Sequence, residues 1–338
     1  MAFRFCDGFD SYASGSDLVK KWSIADASFT WSNSAGRFGG GAVANAGAAG
    51  GKQLQKLNIA ASVSDMAAGF YLKASAAPAA AGIVLNVVNS AGASVGDISL
   101  NTAGTCSLHA NSNSLQATSS INVCDGAWHW IEFRLQWGNP SYLYVDNVQQ
   151  GTTGGGGNLG NNYASVYLQS VAGITTTWDD VVVYDSTTGA PTPASNFPIN
   201  ARQITTLRPT SDSVVGFGTT SSGSTHYNLV NETVPDGDTS YVQDGGSGTQ
   251  DLLNFASLGY TPTAINVVIL NVYSDNPAGG TINIQGIAKN SISQANGSAI
   301  VSPLVYQTNQ WPFALDPYSG VAWVAAGVNA AQFGYKNA

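Results

Sequence analysis

Charge is what this chain has least of: Asp, Glu, Lys and Arg make up 9% of its 338 residues, against about 25% in an ordinary soluble domain. Twelve Lys and Arg face twenty Asp and Glu, a formal net charge of -8. An acidic field with no basic cluster repels a phosphate backbone, which excludes nucleic acid as a partner. Three cysteines, Cys6, Cys106 and Cys124, are too few and too far apart for a disulfide framework or a CxxC metal pair. They read as buried thiols, with a Cys106–Cys124 bridge formed late as the alternative. No apolar run approaches the ~18 residues of a membrane-spanning helix. The opening residues, MAFRFCD, lack the ~7–15-residue apolar core of a secretory signal. The expectation is a protein made and kept in the cytoplasm of its producer, without membrane insertion. Solubility falls to the hydroxyls and amides of Ser, Thr and Asn.

Short strands dominate what is present. In Asp125–Val148, DGAWHWIEFRLQWGNPSYLYVDNV, His129, Ile131, Phe133, Leu135 and Trp137 alternate with Trp128, Trp130, Glu132, Arg134 and Gln136. That period of two marks a strand with one buried face. Tyr142–Asp146 follows a Gly-Asn-Pro-Ser turn and closes a hairpin. Similar runs stand at residues 54–59, 67–73, 83–88, 95–100 and 166–170, separated by Gly, Asn, Ser and Pro. Residues 177–185, TWDDVVVYD, form a β-branched strand that ends the first unit. Pro78 and Gly82 break the alanine-rich 74–81 stretch into a loop, and the glycine run 151–160 reads as a turn.

Composition then changes. GAPTPASNFP, residues 189–198, carries three prolines and no alternation, as in a semi-rigid linker or a strap across a surface. Beyond it, 264–273, 281–288 and 302–306 read as strands separated by hairpin-type turns. A short helix is expected near 328–331, before a last strand. The fold expected is all-β: a jelly-roll sandwich over 1–186, a Pro-rich linker over 187–199, and a second, smaller β-sandwich over 200–338.

DGAWHWIEF, LYVDN, the closing WDDVVVYD and the opening CDGFDSY with GRFGGGAV together resemble the laminin-G-like, concanavalin A-like jelly-roll family, in its virion-borne members. The residues 207–242, LRPTSDSVVGFGTTSSGSTHYNLVNETVPDGDTSYV, and the terminal DPYSGVAWVAAGVNAAQFGYK resemble a domain that follows such jelly rolls in tailed-bacteriophage structural proteins. The resemblance implies a non-enzymatic virion protein, a tail fibre, tail tip or capsid decoration, acting in assembly and surface display. It implies other virion proteins as partners and a homo-oligomer, trimeric by analogy. The alternative is a carbohydrate-binding module that recognises a host-surface glycan. Family calcium ligands do not match residue by residue, so no metal or cofactor is carried over.

Catalysis finds little material. Glycoside hydrolysis needs two carboxylates flanking the bond, and the only glutamates are Glu132 and Glu232. Glu132 is expected to pair with Arg134 on the same strand face. No GxSxG elbow accompanies the histidines His109, His129 and His226; His129, on the apolar face, reads as a satisfied core histidine. Asp236, Asp238 and Asp244 read as turn formers, as does the Asp179-Asp180 pair near Asp185. No catalytic, metal or cofactor residue is expected. Trp128 and Trp130 share one strand face and are candidate interface or glycan-contact aromatics, core packing being the competing reading.

Overall fold

A computed structural model describes residues 2–59, 65–110, 114–136, 140–152, 163–185, 197–244 and 246–338. The chain separates into two compact units, one comprising residues 1–189 with 194–205, the other 190–193 with 206–338. Most of the expected 187–199 linker, much of the glycine run, and Trp137 lie outside the described residues.

The first unit is an antiparallel two-sheet sandwich. In the first sheet the strands run Val148–Gln149, Tyr142–Val145, Trp128–Gln136, Asp65–Ala74, Thr176–Asp185, Ala42–Asn45 and Phe29–Ser32, and Ala2–Asp7 also pairs with Thr176–Asp185. The second sheet runs Gly151–Thr152, Ser114–Thr118, Cys106–Ala110, Ser94–Leu100, Gly82–Val88, Ser165–Gln169, Gln53–Lys56 and Ile24–Ala25. Neighbours in these sheets are often distant in sequence, the crossed-over order of a jelly roll. Ile131, Phe133 and Leu135 enter the core with Phe70 and Leu72 of the adjacent strand and Ile98 and Leu108 of the opposite sheet, as their alternation requires. Asp7 pins the amino-terminal segment across this core. Its carboxylate accepts from the Phe9 amide at 3.0 Å, the Tyr12 hydroxyl at 2.5 Å, the Trp22 indole at 2.7 Å and the Lys21 ammonium at 3.1 Å. The three cysteines are buried free thiols. Burial pushes the Cys106 thiol up to about 12 and the Cys124 thiol up to about 11.

The second unit is a smaller β assembly. Its main sheet orders Pro209–Val214, Gln250–Phe255, Gln332–Asn337, Asn283–Asn290 and Ser293–Asn296, with Ile300–Val301 also on Asn283–Asn290. A two-stranded ladder, Val268–Ser274 with Gln307–Phe313, contributes Leu270, Trp311 and Phe313 to the same core as Ile284, Ala288, Phe333 and Tyr335. Glycine makes room for the largest side chain: a Cβ on Gly286 would stand 2.7 Å from the Trp311 ring, and one on Gly297 2.1 Å. Expected boundaries shift here, the strands of 264–273 and 281–288 running Val268–Ser274 and Asn283–Asn290. Residues 302–306 are not a strand: Pro303 has no amide to donate, and pairing resumes at Gln307. The short helix spans Ala325–Ala330, three residues earlier than expected. No helix among the described residues is long and apolar enough to cross a membrane.

Candidate functional site

The outward face of the second sheet carries a continuous polar row. Register places Gln55 opposite Tyr167, Tyr167 opposite Asn86, Asn86 opposite Asp97, Asp97 opposite His109, and His109 opposite Leu115. The residues between them, Leu54, Leu168, Leu85, Ile98 and Leu108, fill the core. The row exists because each strand alternates around these positions and the pairings set them opposite one another between the bulges of Gly82–Val88. Asp97 organises it: one carboxylate oxygen meets His109 Nδ1 at 3.0 Å and accepts from the Ser99 hydroxyl at 2.5 Å. Ser94 donates to Asn86 at 2.8 Å, and one register step away Ser107 joins Asn101 and Thr118 at 3.0 Å each. Asp97 is only 2% exposed although it points away from the core, whereas the His109 side chain keeps 21% of its surface in solvent. Such a row offers donors, acceptors and one aromatic ring to a flat polar ligand. Asp97 is the sole carboxylate in the described strands of this sheet, and one carboxylate does not supply the pair that glycosidic hydrolysis requires.

The outward face of the first sheet is built differently. Here the expected Glu132–Arg134 ion pair is replaced. Arg134 makes a two-pronged contact with Asp65 at 2.9 and 2.5 Å. Glu132, fully buried, accepts from the Trp130 indole at 3.1 Å, the Asn200 amide at 2.8 Å and the Ile199 amide. Burial pushes its carboxyl above the ordinary glutamate range, against the pull of those three donors. The segment 197–204 is thus a strap on its own unit. Phe197 packs edge-on to Tyr144 at 5.3 Å, Ile199 is fully buried, Ala201 N donates to Asn147 at 2.6 Å, and Ile204 N donates to Asp180 at 2.9 Å. The anchors lie 67, 54 and 24 residues from their partners, a separation that no local pattern reports.

The two tryptophans part company on this face. Trp130 is 1% exposed, bonded to Glu132 and packed against Tyr71 at 5.0 Å and against Gly69, where a Cβ would come within 2.3 Å of the indole. The expectation of an interface or glycan-contact ring is corrected for Trp130, because its own unit encloses it. Trp128, next to the rim, stays half-buried. His129 lies on the apolar side of the strand but at its edge, between Asp146 at 2.7 Å and Asp125 at 3.1 Å. Both ring nitrogens face carboxylates, an arrangement that favours the doubly protonated ring, which can donate to both. Burial works to lower its pKa, and the two hydrogen bonds overcome that and raise it above the ordinary histidine value.

Asp179 and Asp180 sit at a bulge in their strand. Asp179 accepts from Arg37 N at 2.8 Å and from Asp180 N at 2.8 Å. Asp180 is held at φ +51° and one of its oxygens is buried without a hydrogen-bond partner. Burial pushes both carboxyls well above the ordinary range, and the neighbouring charge of Asp179 adds to the effect on Asp180. In the second unit His226 is a structural link. Its Nδ1 meets Asp251 at 2.6 Å, and Asp251, fully buried, also accepts from Gly216 N at 2.8 Å and Phe217 N at 3.0 Å. Asp236 and Asp244 accept from amides of their own turns. No group of three His, Cys, Asp or Glu side chains among the described residues is placed to hold a metal ion.

Sequence reasoning named His109 without a role and missed Asp97, Asn86, Tyr167 and Gln55. The alternations SVGDISL and CSLHA already set Asp97, Ser99, Ser107 and His109 on outward positions. What they lacked was the register that lines them up.

No family model matches the sequence, and no curated protein matches it. Among solved structures, a sialidase superposes with a TM-score of 0.40 at 11% identity, covering 55% of this chain. "Cellulose induced protein, Cip1" gives 0.39 at 13% over 55% of this chain and 99% of its own. The receptor-binding domain of botulinum neurotoxin type G gives 0.37 at 6% over 48% of this chain and 43% of that one. The chain spans about a fifth of the length of the sialidase, 18%. At these scores the likenesses assign no activity, substrate or partner to it.

Proposed function

We propose that the first unit is a carbohydrate-binding module that holds a glycan along the outward row Gln55–Tyr167–Asn86–Asp97–His109 without turning it over. The observation that carries this reading is the register of that row: five strands bring amide, phenol, carboxylate and imidazole groups into one line on the side of the sheet away from the core. Sugar hydroxyls are satisfied by planar polar side chains, and a pyranose face by the Tyr167 ring. Trp128, beside His129, is an aromatic on the other sheet that keeps surface free for a glycan or a subunit. The test is a glycan array followed by titration of the best ligand. Saturable binding that falls about tenfold or more, 1.4 kcal/mol, in Asp97→Ala and Tyr167→Ala, with the melting temperature retained, supports the reading. Silence across neutral, acidic and amino glycans removes it.

A second reading is assembly into a tailed-phage particle, as a homo-oligomer displayed on tail or capsid. The second unit favours it through apolar side chains left in solvent: Ile292 is 88% exposed, Leu304 67%, Val305 64%, Val324 62% and Val321 60%. Isolated apolar side chains are ordinary on a surface, whereas this many in one small unit are the pattern of a surface that is covered on assembly. Sedimentation of the purified chain checks it: a trimer or larger species supports assembly, and a monomer at every concentration counts against it.

A further inference from the structure

We infer that the second unit carries a binding site for a protonated amino sugar, formed by the rings of Tyr273 and Tyr306 and the carboxylates of Asp238 and Asp275. This site is separate from the polar row of the first unit and does not rest on it. The ladder between Val268–Ser274 and Gln307–Phe313 ends with Ser274 opposite Gln307, so the next residues, Asp275 and Tyr306, flank the same end. The Tyr306 ring lies over Tyr273 with centroids 5.0 Å apart and planes 16° from parallel. Its hydroxyl donates to Asp238 at 2.9 Å. Gly237, at φ +67°, brings the Asp238 backbone beside the ring, where a Cβ would stand only 3.5 Å from it. Leu304 and Val305, just before Tyr306, are largely in solvent.

The segments that build this end supply carboxylates without basic residues of their own. None of the three stretches that build it, 234–244, 268–281 and 298–313, contains a Lys or Arg, and neither carboxylate belongs to an ion pair among the described residues. Partial burial, and then the charge of Asp238, raises the Asp275 carboxyl above its ordinary value. A cation set between the two carboxylates relieves that repulsion, and the electron-rich face of a tyrosine ring adds a cation–π attraction. A bare amine satisfies the acids and leaves the stacked rings uncovered. A neutral sugar covers a ring and leaves the acids repelling. A pyranose that carries an ammonium group meets both demands.

The test uses the full chain and titration calorimetry at low salt with three probes: a glucosamine tetramer, its N-acetylated counterpart and tetralysine. The expected result is saturable binding of the glucosamine tetramer, with the N-acetylated tetramer about tenfold weaker. Asp275→Asn and Asp238→Asn are each expected to weaken the glucosamine tetramer about tenfold, and Tyr306→Ala to weaken both sugars. Tyr306→Phe, which retains the ring and loses the hydroxyl, keeps stacking and serves as the folding-safe partner of Tyr306→Ala. The inference is overturned if the wild-type chain does not retain the glucosamine tetramer, or if Asp275→Asn binds it as tightly. Tetralysine binding of equal strength also overturns it, because the surface then recognises a basic peptide. Loss of binding in Asp97→Ala, with Asp275→Asn unaffected, places the sugar on the first unit and overturns it as well, while leaving the first unit's reading intact.

Discussion

The two units solve the same problem, a β core in a chain nearly without charge, by different means. The first spreads burial over many residues from two full sheets, with rings such as Trp22, Trp178 and Phe133 set among a majority of aliphatic side chains, and strands such as Trp128–Gln136 show their core face in the sequence. The second concentrates burial in a few large rings, Trp311, Phe313, Trp323, Phe333 and Tyr335, with Trp311 seated against Gly286 and Gly297 and with buried carboxylates tying the turns around them. Asp251 holds His226 and the 216–217 amides. An aliphatic position in the distributed core is surrounded by others of its kind that can relax around a deletion, whereas the concentrated core depends on each ring.

The sharpest break of that comparison is Trp311→Ala, expected to cost the second unit about 3–5 kcal/mol, enough to remove its folding transition while the first unit keeps its own. Differential scanning calorimetry and amide exchange check it. One transition lost and one retained is the expected outcome, and simultaneous loss of both shows a single cooperative block. A volume deletion of the same kind in the first unit, Leu85→Ala, belongs at the lower end of about 2–5 kcal/mol for such changes, since the distributed core can relax around it.

The strap supplies the next effect in size. Glu132→Ala leaves the Trp130 indole and the Ile199 and Asn200 amides without their acceptor, at about 1–3 kcal/mol, and the strap amides should exchange with solvent long before the core strands do. Unchanged protection at Ile199 and Asn200 in the variant shows that Asn147 and Asp180 hold the strap by themselves.

How much of this was legible divides along the same line. The strand Trp128–Gln136 was readable because its apolar Ile131, Phe133 and Leu135 alternate with the polar Glu132, Arg134 and Gln136. The fold class followed from many such strands and turns. His129 was readable as a satisfied histidine, but its partners Asp146 and Asp125 sit in a turn and a loop that alternation does not describe. Gln307–Phe313 hid because its first four residues, QTNQ, are polar, as suits a two-stranded ladder with one side to solvent. The Glu132 partner was mistaken because a residue two positions along the strand is the nearest candidate in sequence, whereas the actual donors come from a segment folded back over the sheet. The polar row was missed for a related reason: side-chain direction is local, and register is not.

The smallest effect concerns pH and separates the units once more. Asp179 and Asp180 of the first unit are buried and raised above the ordinary carboxylate range, so the folded unit holds protons that the unfolded chain releases. The stability they contribute is fully present below the ordinary aspartate pKa and is lost as pH rises through their folded values. Asp180→Asn tests this cleanly. Asparagine tolerates the positive φ of position 180, keeps an oxygen for the Ile204 amide, and removes the charge that burial and Asp179 oppose. The first-unit melting temperature is expected to rise in Asp180→Asn by a few degrees at about pH 8.5 and by little at about pH 4, flattening the pH profile. The second-unit transition should not move at either pH. An Asp180→Asn profile parallel to wild type shows that the pair is solvated by opening of the bulge, and that the Ile204 end of the strap is already loose at neutral pH.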